Sequence, residues 1–288
     1  MKIAVAGLGK MGAQIAQKLE EGGFKVIPHH RNDDKKKTIE SFMGDRVIIW
    51  LMIPTPAVDK ELDTWLEVIP KGSVLVDGGN SDFRLTQKRA QKVLQNGSTL
   101  LDVGTSGGVW GYKNGFAMMA GGDVASFKII EPVLKTLSLP EGAYFHFGES
   151  GAGHFVKMTH NAIEYGMMQS LAEGYRLLKE GPYENIDLYK AGDVWQHHSV
   201  ITSWLNELSR DALKENKDLV DIEGVVAESG EARWALEAAR DLGIETPAIR
   251  AAFDVRLASQ KGKVNFATKL LAAMRNAFGG HNINPDTR

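Results

Sequence analysis

The 288-residue sequence contains no cysteine, which excludes disulfide bonds, thiolate nucleophiles and cysteine-ligated zinc. It also lacks a strong charge of either sign. The 34 Lys and Arg nearly balance 36 Asp and Glu, so a generic nucleic-acid-binding surface is not expected. No apolar run reaches the ~20 residues that span a bilayer, and the first residues are typical of a folded strand rather than a signal peptide. These absences favour a cytoplasmic protein without a membrane or nucleic-acid partner.

The histidines do not form a metal-binding motif. His29-His30 and His197-His198 are adjacent pairs, and neighbouring side chains point in different directions on a helix or a strand. A solvated or supporting role is therefore favoured for both pairs, and we predict no metal site.

Apolar runs of strand length alternate with helical patterns up to about Gly148. The predicted strands are Ile3–Ala6, Phe24–Ile27, Val47–Ile53, Val74–Val76, Leu100–Val103, Phe116–Ala120 and Tyr144–Phe147. Helical patterns lie between several of them, the clearest at Met11–Glu21 and Val58–Ile69. This alternation predicts an α/β Rossmann-type fold, a doubly wound and mostly parallel sheet with helices on both faces.

The strand pattern ceases after Gly151. The helices predicted beyond it are His154–Leu178, Ser199–Lys214, Glu231–Leu242, Pro247–Ser259 and Val264–Phe278. We therefore expect a Rossmann-type domain over residues 1–149, followed by an all-α C-terminal domain over residues 150–288.

A glycine motif, Gly7-Leu8-Gly9-Lys10-Met11-Gly12, separates the first predicted strand from the first predicted helix. In that context the first glycine permits a tight turn, the second lets the backbone approach a pyrophosphate, and the third lets helix and strand pack closely. The helix N-terminus would favour the anion through its unbonded N–H groups. The motif predicts a dinucleotide site, although a glycine-rich turn without a ligand is the alternative.

The end of the second predicted strand bears on the choice of dinucleotide. NAD sites usually place a carboxylate there, on the ribose 2′-hydroxyl. Here the segment is His29-His30-Arg31-Asn32, and the first carboxylates are Asp33 and Asp34. Arg31, helped by His30, could pair with a 2′-phosphate. This favours NADP, while an exposed basic loop and the use of NAD stay open.

One face of the long predicted helix carries polar chemistry. Lys157, His160, Asn161 and Glu164 stand at positions i, i+3, i+4 and i+7, with Tyr165 beside them. A lysine and a glutamate can serve as base and acid when their surroundings bring their pKa values toward neutrality. The alternative is a solvated face with an ordinary ion pair, but the flanking apolar residues suggest a helix largely enclosed by protein.

Two polar glycine loops follow predicted strands. Asp77-Gly78-Gly79-Asn80-Ser81 follows Val74–Val76, and Gly104-Thr105-Ser106-Gly107-Gly108 follows Leu100–Val103. Open α/β sheets bind ligands beyond the carboxyl ends of their strands, so we expect both loops to line a ligand site. Either could be only a turn.

These residues resemble the 6-phosphogluconate dehydrogenase family, within the β-hydroxyacid dehydrogenase superfamily, over nearly the whole chain. Besides the glycine motif, the resemblance rests on Asp77–Ser81, Asp102–Gly111, His154–Tyr165, Ser229–Trp234 and Arg275–His281. The length resembles the short form of the family, which lacks a second block of helices. The segment from Lys157 to Tyr165 is specific to this branch of the superfamily.

The resemblance implies oxidative decarboxylation of 6-phosphogluconate, a phosphorylated sugar acid, to ribulose 5-phosphate and CO₂ with NADP or NAD. It implies Lys157 as general base and Glu164 as general acid. The implied substrate contacts are Asn80, Ser106, Gly107, Gly108, His160 and Asn161, with Tyr165, Arg233 and Arg256 near the phosphate. The implied cofactor contacts are Gly7, Leu8, Gly9, Lys10, Met11, Gly12, His30, Arg31, Asn32, Met52 and Asn80.

The resemblance also implies an oligomer. Arg275 and His281 match a C-terminal pair that reaches a neighbouring subunit's site in the long enzymes, so a homodimer or homotetramer is expected. The sequence departs from the family pattern at Ala162, Thr159, Ala232 and Ala235, and at the variable Asp82-Phe83. None of these removes an acid, a base or a phosphate ligand, but the changes next to Arg233 and Asn161 could alter the shape of the pocket.

Two other functions are compatible with parts of the sequence. A dehydrogenase or reductase acting on an unphosphorylated β-hydroxyacid, or an imine reductase, would share the Rossmann half but would have no use for Arg233, Arg256 and Arg275 together. A non-catalytic dinucleotide-binding module would keep the glycine motif but would not need Lys157 and Glu164 on one helix face.

Overall fold

The computed structural model of the chain describes residues 1–283. Its contacts define two compact units, Met1–Met158 and Thr159–Arg288. Along the chain, the boundary between them falls within the long helix Ala152–Glu180, whereas the predicted boundary between residues 149 and 150 precedes that helix. Among the described residues, no helix is long and apolar enough to cross a membrane.

Within the described residues, the first unit is built on one seven-stranded sheet with the order β2-β1-β3-β4-β5-β6-β7. The strands are β1 (Lys2–Ala6), β2 (Lys25–His29), β3 (Ile48–Leu51), β4 (Val74–Asp77), β5 (Thr99–Ser106), β6 (Ala117–Gly121) and β7 (Tyr144–His146). All neighbours are parallel except β5 and β6. Because the chain goes from β1 to β2 on one side and to β3 on the other, the strand order reverses at β1, the point where such sheets bind ligands.

Alternation of side chains along the strands gives this sheet two buried faces. Ile3 and Val5 belong to one core cluster, and Ala4 and Ala6 to the other. The helices of the first unit are α1 (Lys10–Glu21), α2 (Lys35–Glu40), α3 (Thr55–Leu66), α4 (Phe83–Gln95), α5 (Gly111–Asn114) and α6 (Val124–Ser138). Strands buried on both faces are expected for a parallel sheet covered by helices.

Among its described residues, the second unit contains helices and no strands. The long helix α7 (Ala152–Glu180) leads into it, followed by α8 (Leu188–Gln196), α9 (Trp204–Glu215), α10 (Glu231–Asp241), α11 (Pro247–Ser259) and α12 (Phe266–Gly279). Its larger core gathers side chains from α7, α8, α9 and α12, and a smaller core joins Tyr165 to α10 and α11. The predicted fold class, a Rossmann-type sheet followed by an all-α region, is confirmed.

Element boundaries differ from the predicted ones at two informative places. Strand β5 continues through Ser106 instead of ending at Val103, because the antiparallel strand β6 pairs with it as far as the partners Ser106 and Ala117. Helix α9 begins at Trp204 rather than at Ser199, because the Ser203 hydroxyl caps it and accepts a hydrogen bond from the Asn206 N–H. The sequence patterns did not predict helices α2, α4, α5, α6 or α8.

Candidate active site

The turn after β1 has the shape of a pyrophosphate cradle. Gly7 has a φ of +93°, and a Cβ there would lie 2.7 Å from Cγ2 of Ile53, so only glycine fits. A Cβ on Gly12 would overlap the Gly7 carbonyl, whereas a Cβ on Gly9 would meet no atom of the described residues within 4 Å. Gly9 also begins α1 without a side-chain cap or an acidic residue in the first turn. Open space over uncapped helix N–H groups fits a bound dinucleotide.

Three other predicted cofactor residues frame this turn. Leu8 and Met11 are half-buried and pack against the core. Met52, just after β3, is half-buried as well, and its sulfur accepts a hydrogen bond from the Trp50 indole N–H at 3.2 Å. Lys10 is exposed at the first position of α1. The turn and the end of β3 therefore form one edge of the predicted site.

The carboxylates that follow β2 already accept hydrogen bonds from backbone N–H groups. Asp33 accepts a hydrogen bond from the His30 N–H at 2.7 Å, and Asp34 caps α2 by accepting from the Lys36 N–H at 2.9 Å. The exposed side chains at this point are His30, Arg31 and Asn32. Among residues 1–283, Arg31 has neither an ion pair nor a hydrogen bond from its side chain, so its guanidinium is available to an anion.

The loop after β4 is held by a buried ionic network that the sequence reasoning missed. The Asp77 carboxylate accepts from the Gly79 N–H at 3.2 Å and from the Ser81 hydroxyl at 2.8 Å. Arg89, only 3% exposed, donates to Ser81 at 3.1 Å and lies 3.6 Å from Asp77. This network fixes the predicted substrate and cofactor residue Asn80, which is exposed and whose carbonyl accepts from the Thr55 hydroxyl at 2.5 Å.

The predicted substrate residues of the next loop lie where β5 ends. Ser106 is its last residue, Gly107 takes a φ of +127°, and Gly108 begins a short 3-10 turn. All three are half-buried, at the same edge of the sheet as the loop after β4. The two predicted loops therefore follow neighbouring parallel strands, as expected for a ligand site.

Helix α7 carries the predicted base and acid. Lys157 is 5% exposed and Asn161 is 9% exposed, while His160 and Glu164 are half-buried. His160 Nδ1 lies 2.9 Å from Asn161 Oδ1, so the ring nitrogen donates to the amide oxygen. A regular helix places these positions on one face. The face is largely enclosed, which disfavours an ordinary solvated stripe.

A buried guanidinium lies beside Tyr165 in the second unit. Arg256 is 2% exposed, its guanidinium carbon lies 3.2 Å from the centroid of the Tyr165 ring, and one nitrogen donates to the Met168 sulfur at 3.6 Å. Burial lowers the pKa of Arg256 to about 10, and the positive charge of Arg275 acts in the same direction. Tyr165 is held in turn by the Ser229 N–H, which donates to its hydroxyl at 3.3 Å.

Arg275 is the second buried cation of this region, at 7% exposed. Burial lowers the pKa of Arg275, against the opposing influence of Tyr165, Glu164 and Glu231. Among the described residues, neither Arg275 nor Arg256 has a carboxylate oxygen within the 4.0 Å of an ion pair. Two buried guanidiniums without a paired carboxylate are suited to binding an anion.

The other predicted phosphate residues are placed differently. Arg233 pairs with Glu228 at close range, with half of its side chain exposed. His281 is exposed, its ring lies 6.3 Å from that of Phe278, and its carbonyl accepts from the Asn276 amide at 2.7 Å. Among the described residues, no group of His, Asp and Glu could hold a metal ion.

Both halves of the chain match models of one family. Residues 2–148 match the NAD-binding domain of 6-phosphogluconate dehydrogenase, and residues 153–276 match the C-terminal domain of the same enzyme. These matches, with the dinucleotide turn and the sheet that carries it, define an NAD(P)-dependent dehydrogenase. The chain belongs to the 6-phosphogluconate dehydrogenase family, within the β-hydroxyacid dehydrogenases.

Individual relatives agree with this assignment. The chain is 36% identical to "Putative 6-phosphogluconate dehydrogenase YqeC" of Bacillus subtilis, over 98% of both chains. It is 33% identical to an NAD(+)-dependent, decarboxylating 6-phosphogluconate dehydrogenase of Haloferax volcanii, again over 98% of both. Among solved structures, Plasmodium falciparum 6-phosphogluconate dehydrogenase superposes with a TM-score of 0.79 at 25% identity, covering all of this chain and 67% of that one.

Proposed function

We propose that this chain oxidises and decarboxylates 6-phosphogluconate, giving ribulose 5-phosphate and CO₂ with reduction of NADP. The observation that carries the proposal is the pair of buried arginines, Arg256 and Arg275, which lack a paired carboxylate among the described residues. Buried guanidinium forks match the geometry of a phosphate group and can bind it through two parallel hydrogen bonds. The second support is Lys157, a nearly buried lysine at the start of a helix that also carries Glu164.

The proposed chemistry assigns one proton-transfer role to each group. Lys157 takes the proton of the C3 hydroxyl as C3 loses its hydride, and it returns a proton toward the C3 oxygen as the 3-keto acid loses CO₂. Glu164 then helps to protonate C1 of the resulting enediol. The nicotinamide of the dinucleotide, when bound, supplies the hydride acceptor. The other substrate contacts, among them Asn80, are assigned by family resemblance.

NADP is the proposed dinucleotide because of the end of β2. Its nearest carboxylates, Asp33 and Asp34, are occupied by the His30 and Lys36 N–H groups, and Arg31 is exposed without a partner in the described part of the chain. A 2′-phosphate would supply that partner. Arg31→Ala should raise KM for NADP at least about tenfold, the loss of a hydrogen bond to a charged group, and leave KM for NAD unchanged. A larger effect on NAD than on NADP would refute this preference.

We further propose that the protein works as a homodimer or a homotetramer, in which Arg275 and His281 contribute to the phosphate end. Light scattering of the purified protein after size exclusion would test this. A monomer with full activity would contradict the proposal.

The defining experiment mixes purified protein with 6-phosphogluconate and either NADP or NAD. It follows the reduced nicotinamide by absorbance and traps the released CO₂. We expect equimolar reduced cofactor and CO₂ from the wild type and a loss of at least about 100-fold in kcat for Lys157→Met, which lacks the base. Lys190→Met is the matched control, since its side chain is 79% exposed.

The outcome separates the proposal from the nearest alternative. The proposed function would be wrong if the protein did not turn over 6-phosphogluconate with either dinucleotide. Turnover of an unphosphorylated β-hydroxyacid such as 3-hydroxyisobutyrate would then establish the alternative. Formation of reduced cofactor without release of CO₂ would support the proposed dehydrogenase step and contradict the proposed decarboxylation.

A further inference from the structure

The start of α7 is clamped by a carboxylate from a different element. Asp102, in the middle of β5, is fully buried. One carboxylate oxygen accepts from the Gly151 N–H and the other from the His154 N–H, each at 2.8 Å. Helix N-termini are usually capped by the residue just before them, within the same segment. Here a strand residue far away in the sequence supplies the cap, so it fixes α7 against β5.

A second contact between the same strand and helix involves Lys157 itself. Gly104 lies two residues beyond Asp102, so alternation puts both on the same face of the sheet, about 6.7 Å apart along the strand. A Cβ on Gly104 would overlap Cβ of Lys157 and lie 2.8 Å from its Cγ. The proposed base therefore rests directly on β5, one turn beyond His154, whose N–H Asp102 holds.

The first turn of α7 packs closely against the backbones of β5 and β6. A Cβ on Gly153 would lie 2.8 Å from the Asp102 carbonyl oxygen and 2.8 Å from the Ala120 carbonyl carbon. A Cβ on Gly121 would lie 2.7 Å from the Gly153 nitrogen. The helix thus lies directly on the backbones of β5 and β6. A shift of its first turn must also move Lys157, which projects from the next one.

We propose that Asp102 is a positioning residue for the reaction, because its two hydrogen bonds set the place from which Lys157 works. The inference rests on the proposed role of Lys157 as general base. It does not require Asp102 to touch the substrate. Misplacing a reacting group by about 1 Å can cost about 100-fold in rate, so a cap at this point affects kcat more than binding.

The test replaces the carboxylate by an amide of the same size. Asp102→Asn keeps one acceptor oxygen but turns an NH₂ toward the second N–H. We expect kcat per folded site to fall by at least about tenfold, in line with a displacement well under 1 Å. The dissociation constant of NADPH should stay within about twofold, and the KM of the sugar acid should change less than kcat does, since Asp102 itself is not proposed to bind either ligand. Sites are counted by titration with NADPH.

Asp123→Asn is the matched control. Asp123 caps α6 in the ordinary way, accepting from the Ser126 N–H at 2.7 Å, and no predicted site residue lies on that helix. It should lower the melting temperature without changing kcat per folded site. If Asp102→Asn behaved in the same way, losing stability but keeping kcat, Asp102 would be a structural cap only and the proposal would be wrong.

Two further measurements keep the test decisive. If Asp102→Asn does not fold, Gly104→Ala takes its place, because the added methyl displaces Lys157 from β5 while the Asp102 carboxylate itself is unchanged. Unchanged kcat in that variant would overturn the inference. If the wild type does not turn over 6-phosphogluconate, the proposed function fails, and the acetylation rate of Lys157, read by mass spectrometry, decides instead. That rate should rise at least about tenfold in Asp102→Asn as the 5%-exposed lysine is released, and an unchanged rate refutes the clamp.

Discussion

Removing the guanidinium of Arg256 should make the ligand-free protein more stable and should raise the KM for 6-phosphogluconate. Burial lowers the pKa of Arg256 from 12.5 to about 10. Each pKa unit corresponds to about 1.4 kcal/mol, so holding this residue charged in the folded state costs about 3 kcal/mol. The cost is present throughout the neutral range, and it is relieved only as the pH rises above about 10.

The variant Arg256→Met keeps the length of the side chain and removes the charge. It forfeits the contact with the face of Tyr165, which is worth about 2 kcal/mol for a desolvated cation. The difference leaves the variant more stable by about 1 kcal/mol, or roughly 2–4 °C in Tm. KM for 6-phosphogluconate should rise at least about tenfold, because each lost hydrogen bond to a charged group is worth about 1.5–3 kcal/mol.

The assay pairs thermal unfolding with steady-state kinetics, both with and without 6-phosphogluconate. The substrate should raise the Tm of the wild type and leave that of Arg256→Met nearly unchanged. Arg240→Met is the control, since 73% of that side chain is exposed and, within residues 1–283, it pairs only with its neighbour Asp241. A loss of more than about 2 kcal/mol in Arg256→Met with KM unchanged would make Arg256 a packing residue and refute the reasoning.

Three further outcomes follow from other parts of the structure. Gly9→Ala should weaken NADP binding at least about tenfold without changing Tm, because the added Cβ meets no atom of the described residues and would enter only the space of the dinucleotide. Gly12→Ala should instead lower Tm, because the added Cβ would overlap the Gly7 carbonyl. Calorimetric Kd and Tm measure both. Burial lowers the pKa of His29 below 6.5, so as the pH falls this residue takes up a proton in the unfolded chain before it does so in the folded protein. The free energy of unfolding should therefore fall below pH 6.5 by up to about 1.4 kcal/mol per pH unit. His29→Gln should reduce that slope in urea titrations. Arg233→Met should raise KM for the sugar acid less than Arg256→Met does, because Arg233 is half-exposed and paired with Glu228; equal effects would show that this pair opens on binding.

Elements with strong local signals were predictable from the sequence. Helix α11 begins at Pro247 and ends at Ser259 as predicted, because proline presets the backbone dihedral of a first helical residue. The turn from Gly7 to Gly12 was predictable for a similar reason, since Gly7 takes a positive φ and a Cβ on Gly12 would overlap the Gly7 carbonyl five residues earlier. Local rules of this kind need no knowledge of the rest of the fold.

The missed helices lack the signal on which such predictions depend. The buried face of α4 carries Thr86, Arg89 and Val93, so two of its three buried side chains are polar and no apolar stripe appears in the sequence. Helix α6 contains Pro132 in its interior, which argues against a helix on local grounds. Tertiary packing decides both cases, and one sequence does not display it.

The candidate site likewise contains some residues that local sequence signals identify and others that only tertiary packing reveals. Residue types and helical spacing were enough to select Lys157 and Glu164, but not to find that Asp102 caps their helix. The only sequence signal for that role is a carboxylate inside an otherwise apolar strand, which rarely occurs without a buried partner. Spacing also did not distinguish Arg233, which Glu228 engages, from Arg256 and Arg275, which no carboxylate engages among the described residues.

That distinction bears on the choice of substrate. Replacing a buried charge by an apolar side chain is often neutral or stabilising, so a fold alone gives no reason to keep Arg256 and Arg275 buried near each other. Their mutual repulsion adds to the cost, since the charge of Arg275 helps to lower the pKa of Arg256. A dianionic ligand reverses both effects at once, whereas an acid without a phosphate offers a single charge that its own carboxylate-binding groups would use. The energetics of the ligand-free protein therefore favour a phosphorylated sugar acid over an unphosphorylated β-hydroxyacid.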